Sequence, residues 1–283
     1  MNIRKTKKIN ITYEDKKNLI DFFKNGKIKK NLSTKIKKSL KDIENNGSVI
    51  LKNFPISNNY FEDFKKFSSL FGVLHKQNKS NDQIIKIENK GNKWTARNRG
   101  YTTSSKLDPH TDGGKISLLL CIKNSLIGGE NFKLDADLIF EKIKKNKIFK
   151  EKIFNGFKYH TRHEAKSKSV ITKKKYPIFY FNNKILHCMY NSKPIMEAMK
   201  FTKNKDDLKT INKFNKIINS LKNKYEFFKI KPGEIWIVNN YTVLHGRKKF
   251  KDLNEKRLLL RAWVSPKKFI YKGKNILDAY NDR

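Results

Sequence analysis

The sequence predicts a mainly β protein with flanking helices, its strands folded as a jelly-roll barrel. Two observations predict it. Strand-like segments gather in two stretches, 48–122 and 225–264, on either side of a helix-rich middle, and no regular alternation of strand and helix runs along the chain. At 283 residues, with 37% apolar and 12% aromatic content, the chain can bury a core without metal or disulfide staples. We find neither an internal repeat nor a linker, which predicts one domain over 1–283. Helices occupy 1–46, the barrel 47–264 with a helical insertion near 135–222, and a tail 265–283.

In order, Thr12 and Asp15 form a capping-box pattern ahead of Leu19, Ile20, Phe22 and Phe23. A second helix carries Ile36, Leu40 and Ile43 and stops at Asn45-Asn46-Gly47. Ser48 to Phe54 is a short apolar strand ended by Pro55, and Gln83 to Glu88 is another. Between them, Phe61, Phe64, Phe67 and Phe71 share one face of a helix and read as core. Residues 89–115 are rich in Gly, Asn, Arg, Thr and Ser and read as a long loop. Ile116 to Ile122 is a continuous apolar run, hence a strand buried on both faces. After Gly128-Gly129 come helices at 137–145 and 149–154, strands at 157–160, 178–181 and 185–190, and a helix at 206–221. Strands at 225–230 and 234–238 surround Pro232-Gly233, a loop reaches His245, and Leu258 to Val264 is the last strand.

The chain carries 65 basic and 26 acidic residues, a formal charge of +39. Such a balance points to nucleic acid or an anionic surface. Only eight of the basic residues are arginine, however, and the lysines run evenly from end to end, which describes a solvated lysine surface better than a phosphate-reading face. Expected nucleic-acid binding is therefore weak and nonspecific. Cys121 and Cys188 have no paired spacing, no apolar run reaches a membrane span, and the N-terminus lacks a signal-like apolar segment. These features predict a cytoplasmic protein with no membrane partner.

GxSxG, GxGxxG, HExxH and phosphate-loop patterns are absent. What remains is a histidine and carboxylate cluster. His110-Thr111-Asp112 places an imidazole and a carboxylate two residues apart, on one face if the backbone is extended. Such a tripeptide is also a common surface turn. Joined by His245, it would offer two histidines and one carboxylate to ferrous iron and leave positions open for cosubstrate and oxygen. Arg257, Leu259 and Arg261 share one face of the last strand, opposite Leu258 and Leu260, and inward guanidiniums need anionic partners. Arg97, Arg99, Tyr101 and Thr102 lead into the His110 turn and are candidates to line a substrate mouth. His75, His160, His163 and His187 lack partners at ligand spacing, and Trp236 and Trp263 read as core.

Taken in order, His110-Thr111-Asp112, Gly128-Gly129-Glu130, Pro232-Gly233-Glu234 with Trp236 and Asn240, Leu244-His245-Gly246-Arg247, and Arg257 with Arg261 resemble the taurine dioxygenase family of Fe(II)- and 2-oxoglutarate-dependent oxygenases. The resemblance spans about residues 47–264. It implies a clavaminate synthase-like double-stranded β-helix with His110, Asp112 and His245 as iron ligands. Arg257 would grip the distal carboxylate of 2-oxoglutarate, Asn131 stands where relatives often place Thr or Ser to donate to the cosubstrate, and Arg261 would face the substrate or the cosubstrate's other end. The implied reaction consumes O2 and 2-oxoglutarate, releases succinate and CO2, and hydroxylates or desaturates a small molecule. Two other readings are a basic nucleic-acid-associated protein, and an oxygenase acting on a nucleobase or RNA.

Overall fold

Capping chemistry sets the first helices. The computed structural model describes residues 3–78, 80–91, 100–160, 171–253 and 256–266. Strand β1 (Lys7–Asn10) precedes helix α1 (Tyr13–Asn25), so the N-terminal stretch is not helical throughout as the sequence suggested. The Thr12 hydroxyl accepts from the Asp15 N–H at 3.2 Å, and the Asp15 carboxylate accepts from the Thr12 N–H at 2.8 Å. Helix α2 (Lys30–Asn46) ends at Gly47 in the left-handed conformation, φ 75°. Then come β2 (Ser48–Lys52), α3 (Tyr60–Ser69), β3 (Val73–Leu74) and β4 (Ile84–Ile87).

The expected 89–115 loop contains a 3-10 turn at Gly100–Thr102 and strand β5 (Leu107–His110), followed by β6 (Ile116–Lys123), β7 (Ile127–Gly128) and β8 (Asn131–Asp135). The helix-rich middle holds α4 (Ala136–Ile143), α5 (Lys147–Asn155), the ribbon β9 (Phe179–Asn182) and β10 (Ile185–Cys188), α6 (Ser192–Phe201) and α7 (Lys205–Ser220). The strand expected at 157–160 is reduced to isolated bridges, Phe157 to Tyr176 and His160 to Ile171. Last come β11 (Glu226–Phe228), β12 (Ile235–Asn239), β13 (Val243–Arg247), β14 (Phe250–Lys251) and β15 (Leu258–Ser265). His245 therefore sits within a strand, where a loop was expected.

Among the described residues the strands form two main sheets, and their ladders do not close into a barrel. The larger runs β1-β2-β12-β6-β15-β3 with β4 also paired to β15, and the smaller runs β11-β8-β13-β5. Period-2 alternation sorts the large sheet's side chains. Leu118, Leu120, Ile235, Ile237, Leu260 and Ala262 face α1, α2 and α3 in one core. Leu119, Cys121, Trp236, Val238 and Leu259 face the other way and pack with Val243 of the small sheet. Leu134 and Leu244 on the small sheet's outer face bury against α4, α5, α6 and α7. Inward faces of the two sheets thus meet, with arginines and histidines where the apolar packing ends. No helix among the described residues is long and apolar enough to cross a membrane.

Candidate active site

Strand pairing brings the distant histidines together. β13 runs antiparallel to β5 with His245 opposite His110, and their rings lie 4.6 Å apart between centroids. Asp112, two residues beyond β5, turns its carboxylate between them: His245 Nε2 is 3.3 Å from one oxygen and His110 Nε2 3.8 Å from the other. The Nδ1 of His110 is 2.8 Å from the Asp108 carbonyl, so it carries the proton there and Nε2 is left with its lone pair facing the cluster. All three side chains can present a ligand atom within 4.8 Å of the others. Two imidazoles and one carboxylate on one side of a shared point fit a divalent first-row metal with open positions.

Electrostatics keep the donors ready. Burial alone would raise the Asp112 carboxyl, but the Arg261 guanidinium, His245 and His110 together hold it well below the usual carboxylate range. Burial and then the nearby His245 push His110 down to about 4, with Asp112 opposing. The ring and the carboxylate are thus deprotonated at neutral pH, the state a metal requires.

Side chains to which the motifs attached no role, Asn240 among them, fix this turn. Asn240 receives the Asp112 N–H at its side-chain oxygen and donates its amide to the Gly113 and Gly114 carbonyls, each at 3.4 Å. The Ser117 hydroxyl donates to Asp112 at 3.0 Å, and the Tyr190 N–H donates to the Thr111 hydroxyl at 3.0 Å. Gly246 explains itself by space: a Cβ there would lie 2.3 Å from Phe132 Cζ and 2.4 Å from the Leu107 carbonyl oxygen. Gly246→Ala must push β5 away from β13, which separates His110 from His245. We expect a loss of about 1–3 kcal/mol in thermal unfolding and weaker metal binding, measured by metal titration. Wild-type affinity in this variant would contradict the packing argument.

Two cavities meet at the triad. The outer one, about 490 Å³, is lined by Tyr101, His110, Asp112, Arg261 and Trp263 on the sheet side and by residues of α6 and α7 opposite. The inner one, about 40 Å³, is lined by His245, Asn131, Arg247, Arg257 and Trp236, among others. Trp236 and Trp263 are buried as expected, yet each also forms a cavity wall, and Trp236 meets the His245 ring edge-on at 5.8 Å. Arg261 binds Asp112 at 3.1 Å and the Gln77 side-chain oxygen at 2.9 Å, with its guanidinium 4.3 Å from the Trp263 ring centre. Its anionic partner is thus Asp112, and it faces both cavities. Tyr101 lies 5.3 Å from the same guanidinium. Thr102 lines neither cavity, and Arg97 and Arg99 lie outside the described residues.

Arg257 is 1% exposed, and burial pushes it down to about 10. Its Nε donates to Asn124 at 3.3 Å, but its Nη1, like the Asn131 amide nitrogen, is buried without a hydrogen-bond partner among the described residues. Orphaned donors of this kind are costly, and a carboxylate in the inner cavity would satisfy them. His75 bonds Ser265 at 2.8 Å, His187 packs between Tyr180 and Tyr241, and His160 forms a bridge to Ile171, while His163 lies outside the described residues. The lysine surface has an exception in Lys133, 1% exposed, whose ammonium meets the Asn46 carbonyl at 2.9 Å.

No match to a curated protein is found by sequence. Structurally, the chain resembles an asparagine oxygenase in complex with Fe(II), 2S,3S-3-hydroxyasparagine and succinate, at TM-score 0.68 and 10% identity, over 91% of this chain and 93% of that one. It also resembles the non-heme iron oxygenase OrfP in complex with Fe and alpha-ketoglutaric acid, at TM-score 0.65 and 11% identity, over 92% and 94%. The profile of the "Taurine catabolism dioxygenase TauD, TfdA family" matches residues 22–263. With the family covering most of the chain, the protein belongs to the TauD/TfdA family and is an Fe(II)- and 2-oxoglutarate-dependent dioxygenase.

Proposed function

We propose that His110, Asp112 and His245 hold Fe(II), that Arg257 and Asn131 receive the distal carboxylate of 2-oxoglutarate, and that the outer cavity takes a free amino acid for hydroxylation. The observation that carries the reading is the convergence of the three ligands on the wall between an inner cavity with unpaired donors and an outer cavity of substrate size. Iron, 2-oxoglutarate and O2 together supply the oxidation of a C–H bond, with release of succinate and CO2. The protein's part is placement. Arg261 holds the Asp112 carboxylate ionised, the Asp108 carbonyl keeps the proton on His110 Nδ1, and Trp236 screens His245 from water.

The substrate class rests on the outer cavity. Glu197 lines it and carries a buried carboxylate oxygen with no partner among the described residues, a place for an ammonium or guanidinium group. Lys106, Lys193 and Lys200 line the same space and suit a carboxylate. A molecule bearing both charges fits, as do the hydroxyasparagine and (3S)-hydroxy-L-Arg named with the related oxygenases. Arg261 and Tyr101 border the reacting end; Arg99, a candidate from the sequence alone, lies outside the described residues. Thr102 is retained only through its place beside Tyr101.

Several other expectations stand as parts of this reading. Facing sheets around one apolar interior support the double-stranded β-helix, and the pairing of β1 to β2 and of β15 to β6 supports one domain over 1–283. Free thiols at Cys121 and Cys188 support a cytoplasmic setting. Diffuse lysine charge supports a small-molecule partner over nucleic acid. Screening the Fe(II)-loaded enzyme against the common amino acids, with succinate release and product mass read together, tests the whole. A gain of one oxygen in an amino acid is the expected product. Succinate release stimulated by a nucleoside and by no amino acid would overturn the substrate class.

A further inference from the structure

The inner cavity has two guanidiniums where a single carboxylate clamp needs one. Arg247 is 3% exposed and Arg257 1%, and both lie against the Phe250 ring, their guanidinium carbons 4.6 and 5.2 Å from its centre. Buried like charges this close raise the free energy unless an anion is shared between them. Among the described residues neither side chain is ion-paired with a carboxylate. Asp252, the acidic residue beside them, uses an oxygen on the Arg257 backbone N–H at 3.0 Å. Arg257 Nη1, Arg247 Nε and Arg247 Nη1 are all buried without a hydrogen-bond partner among the described residues. Five N–H groups in a fixed fork make arginine suited to holding two things at once. Arg247 uses Nη2 for one of them, donating to the Thr103 and Ser105 carbonyls at 2.8 and 2.7 Å. Those carbonyls lie two and four residues beyond Tyr101, which lines both cavities.

We infer that Arg247 is a second contact for the distal carboxylate in the inner cavity, and that through Thr103 and Ser105 the same side chain links occupation of that cavity to the wall of the outer one. The inference rests on the 2-oxoglutarate reading and deepens it, adding a residue and a direction of coupling. Arg247 holds the 103–105 segment with one nitrogen while two others face no acceptor among the described residues. A carboxylate on those two fixes the guanidinium, and with it the segment that leads to His110. Cosubstrate would then shape the substrate wall before substrate arrives.

Anaerobic calorimetry on the Fe(II)-loaded enzyme tests this with two ligands: 2-oxoglutarate, and 2-oxopentanoate, which lacks the distal carboxylate. Wild type should prefer 2-oxoglutarate. In Arg247→Gln the affinity for 2-oxoglutarate should fall by about tenfold to a hundredfold while that for 2-oxopentanoate stays, so the preference shrinks by the same factor. Arg247→Lys should restore part of it, and carries the test if the glutamine variant does not fold. Hydrogen exchange gives a second readout: adding 2-oxoglutarate should protect the 103–105 amides in wild type and not in Arg247→Gln. A preference left intact in both variants overturns the inference, because a side chain that only pins the segment would weaken both ligands alike or neither. Absence of any preference in wild type would instead remove the 2-oxoglutarate reading beneath it.

Discussion

Asp112→Ala is expected to abolish turnover and, unlike the two histidine variants, to destabilise the metal-free protein as well. Loss of a ligand should cost more than the roughly tenfold to hundredfold that outer contacts of metal sites cost, so metal affinity should drop beyond that range in His110→Ala, Asp112→Ala and His245→Ala alike. Asp112 alone is also the counter-ion of Arg261, which is 7% exposed and bound to it at 3.1 Å. Removing one partner of a buried pair costs about 3–5 kcal/mol because the other charge stays behind. For a chain of this size that is a fall in Tm of roughly 6–20 °C. Removing either imidazole leaves the Asp112–Arg261 pair in place, so the apo forms of the histidine variants should melt closer to wild type. Metal titration, succinate release and apo-protein melting measured side by side decide it. Full activity in any of the three, or an unchanged apo Tm in Asp112→Ala, would contradict the arrangement.

Arg257→Ala should separate binding from stability in the opposite way. A bidentate charge-assisted contact is worth about 2–4 kcal/mol, so affinity for 2-oxoglutarate should fall roughly 30-fold to 1000-fold, with Arg257→Lys recovering only part. The empty protein gains little from this guanidinium, whose Nη1 has no partner and whose burial is unfavourable. Apo Arg257→Ala should therefore melt no lower than wild type, the usual exchange of stability for function at a prepared site. A large fall in apo Tm with unchanged 2-oxoglutarate affinity would make Arg257 a structural residue.

Helix α1, with its capping box and glycine stop, and α2, with its glycine stop, were legible in the sequence, as was the alternation that points Arg257, Leu259 and Arg261 inward. His110, Asp112 and His245 were legible as a set because ligand chemistry restricts the residue types and the resemblance orders them. The strands that carry the histidines were not. β5 contains Asp108 and Pro109, residues that read as loop; proline is tolerated because β5 is the edge of its sheet. β13 follows Asn239-Asn240-Tyr241-Thr242 and contains Gly246, so local propensity argues for a turn, and only the close approach of Leu107 and Phe132 gives that glycine its reason. β8 places Lys133 on an inward face, where its ammonium finds carbonyl acceptors from chain segments far away in sequence. α6, between the strand expected at 185–190 and the helix expected at 206–221, was not anticipated; it carries Pro194 in its first turn, where the missing N–H has no helical partner to lose. Gln77 escaped, and Asn240 and Arg247 stood in the quoted motifs without a role, for a related reason: their hydrogen bonds reach segments that only the fold brings near.

The far wall of the outer cavity, with Asn191, Glu197, Lys200 and Asn219, belongs to α6, α7 and their flanks, whose apolar sides bury in the core shared with α4 and α5. Asp112 and Arg261 hang from the turn after β5 and from β15, on the other side of the space. Descendants of this sequence can therefore exchange those four residues one at a time and shift which molecule is welcomed, while the oxidising end is inherited unchanged. The architecture separates the choice of guest from the reaction done to it, which leaves an evolving lineage free to retarget the enzyme without reinventing its chemistry.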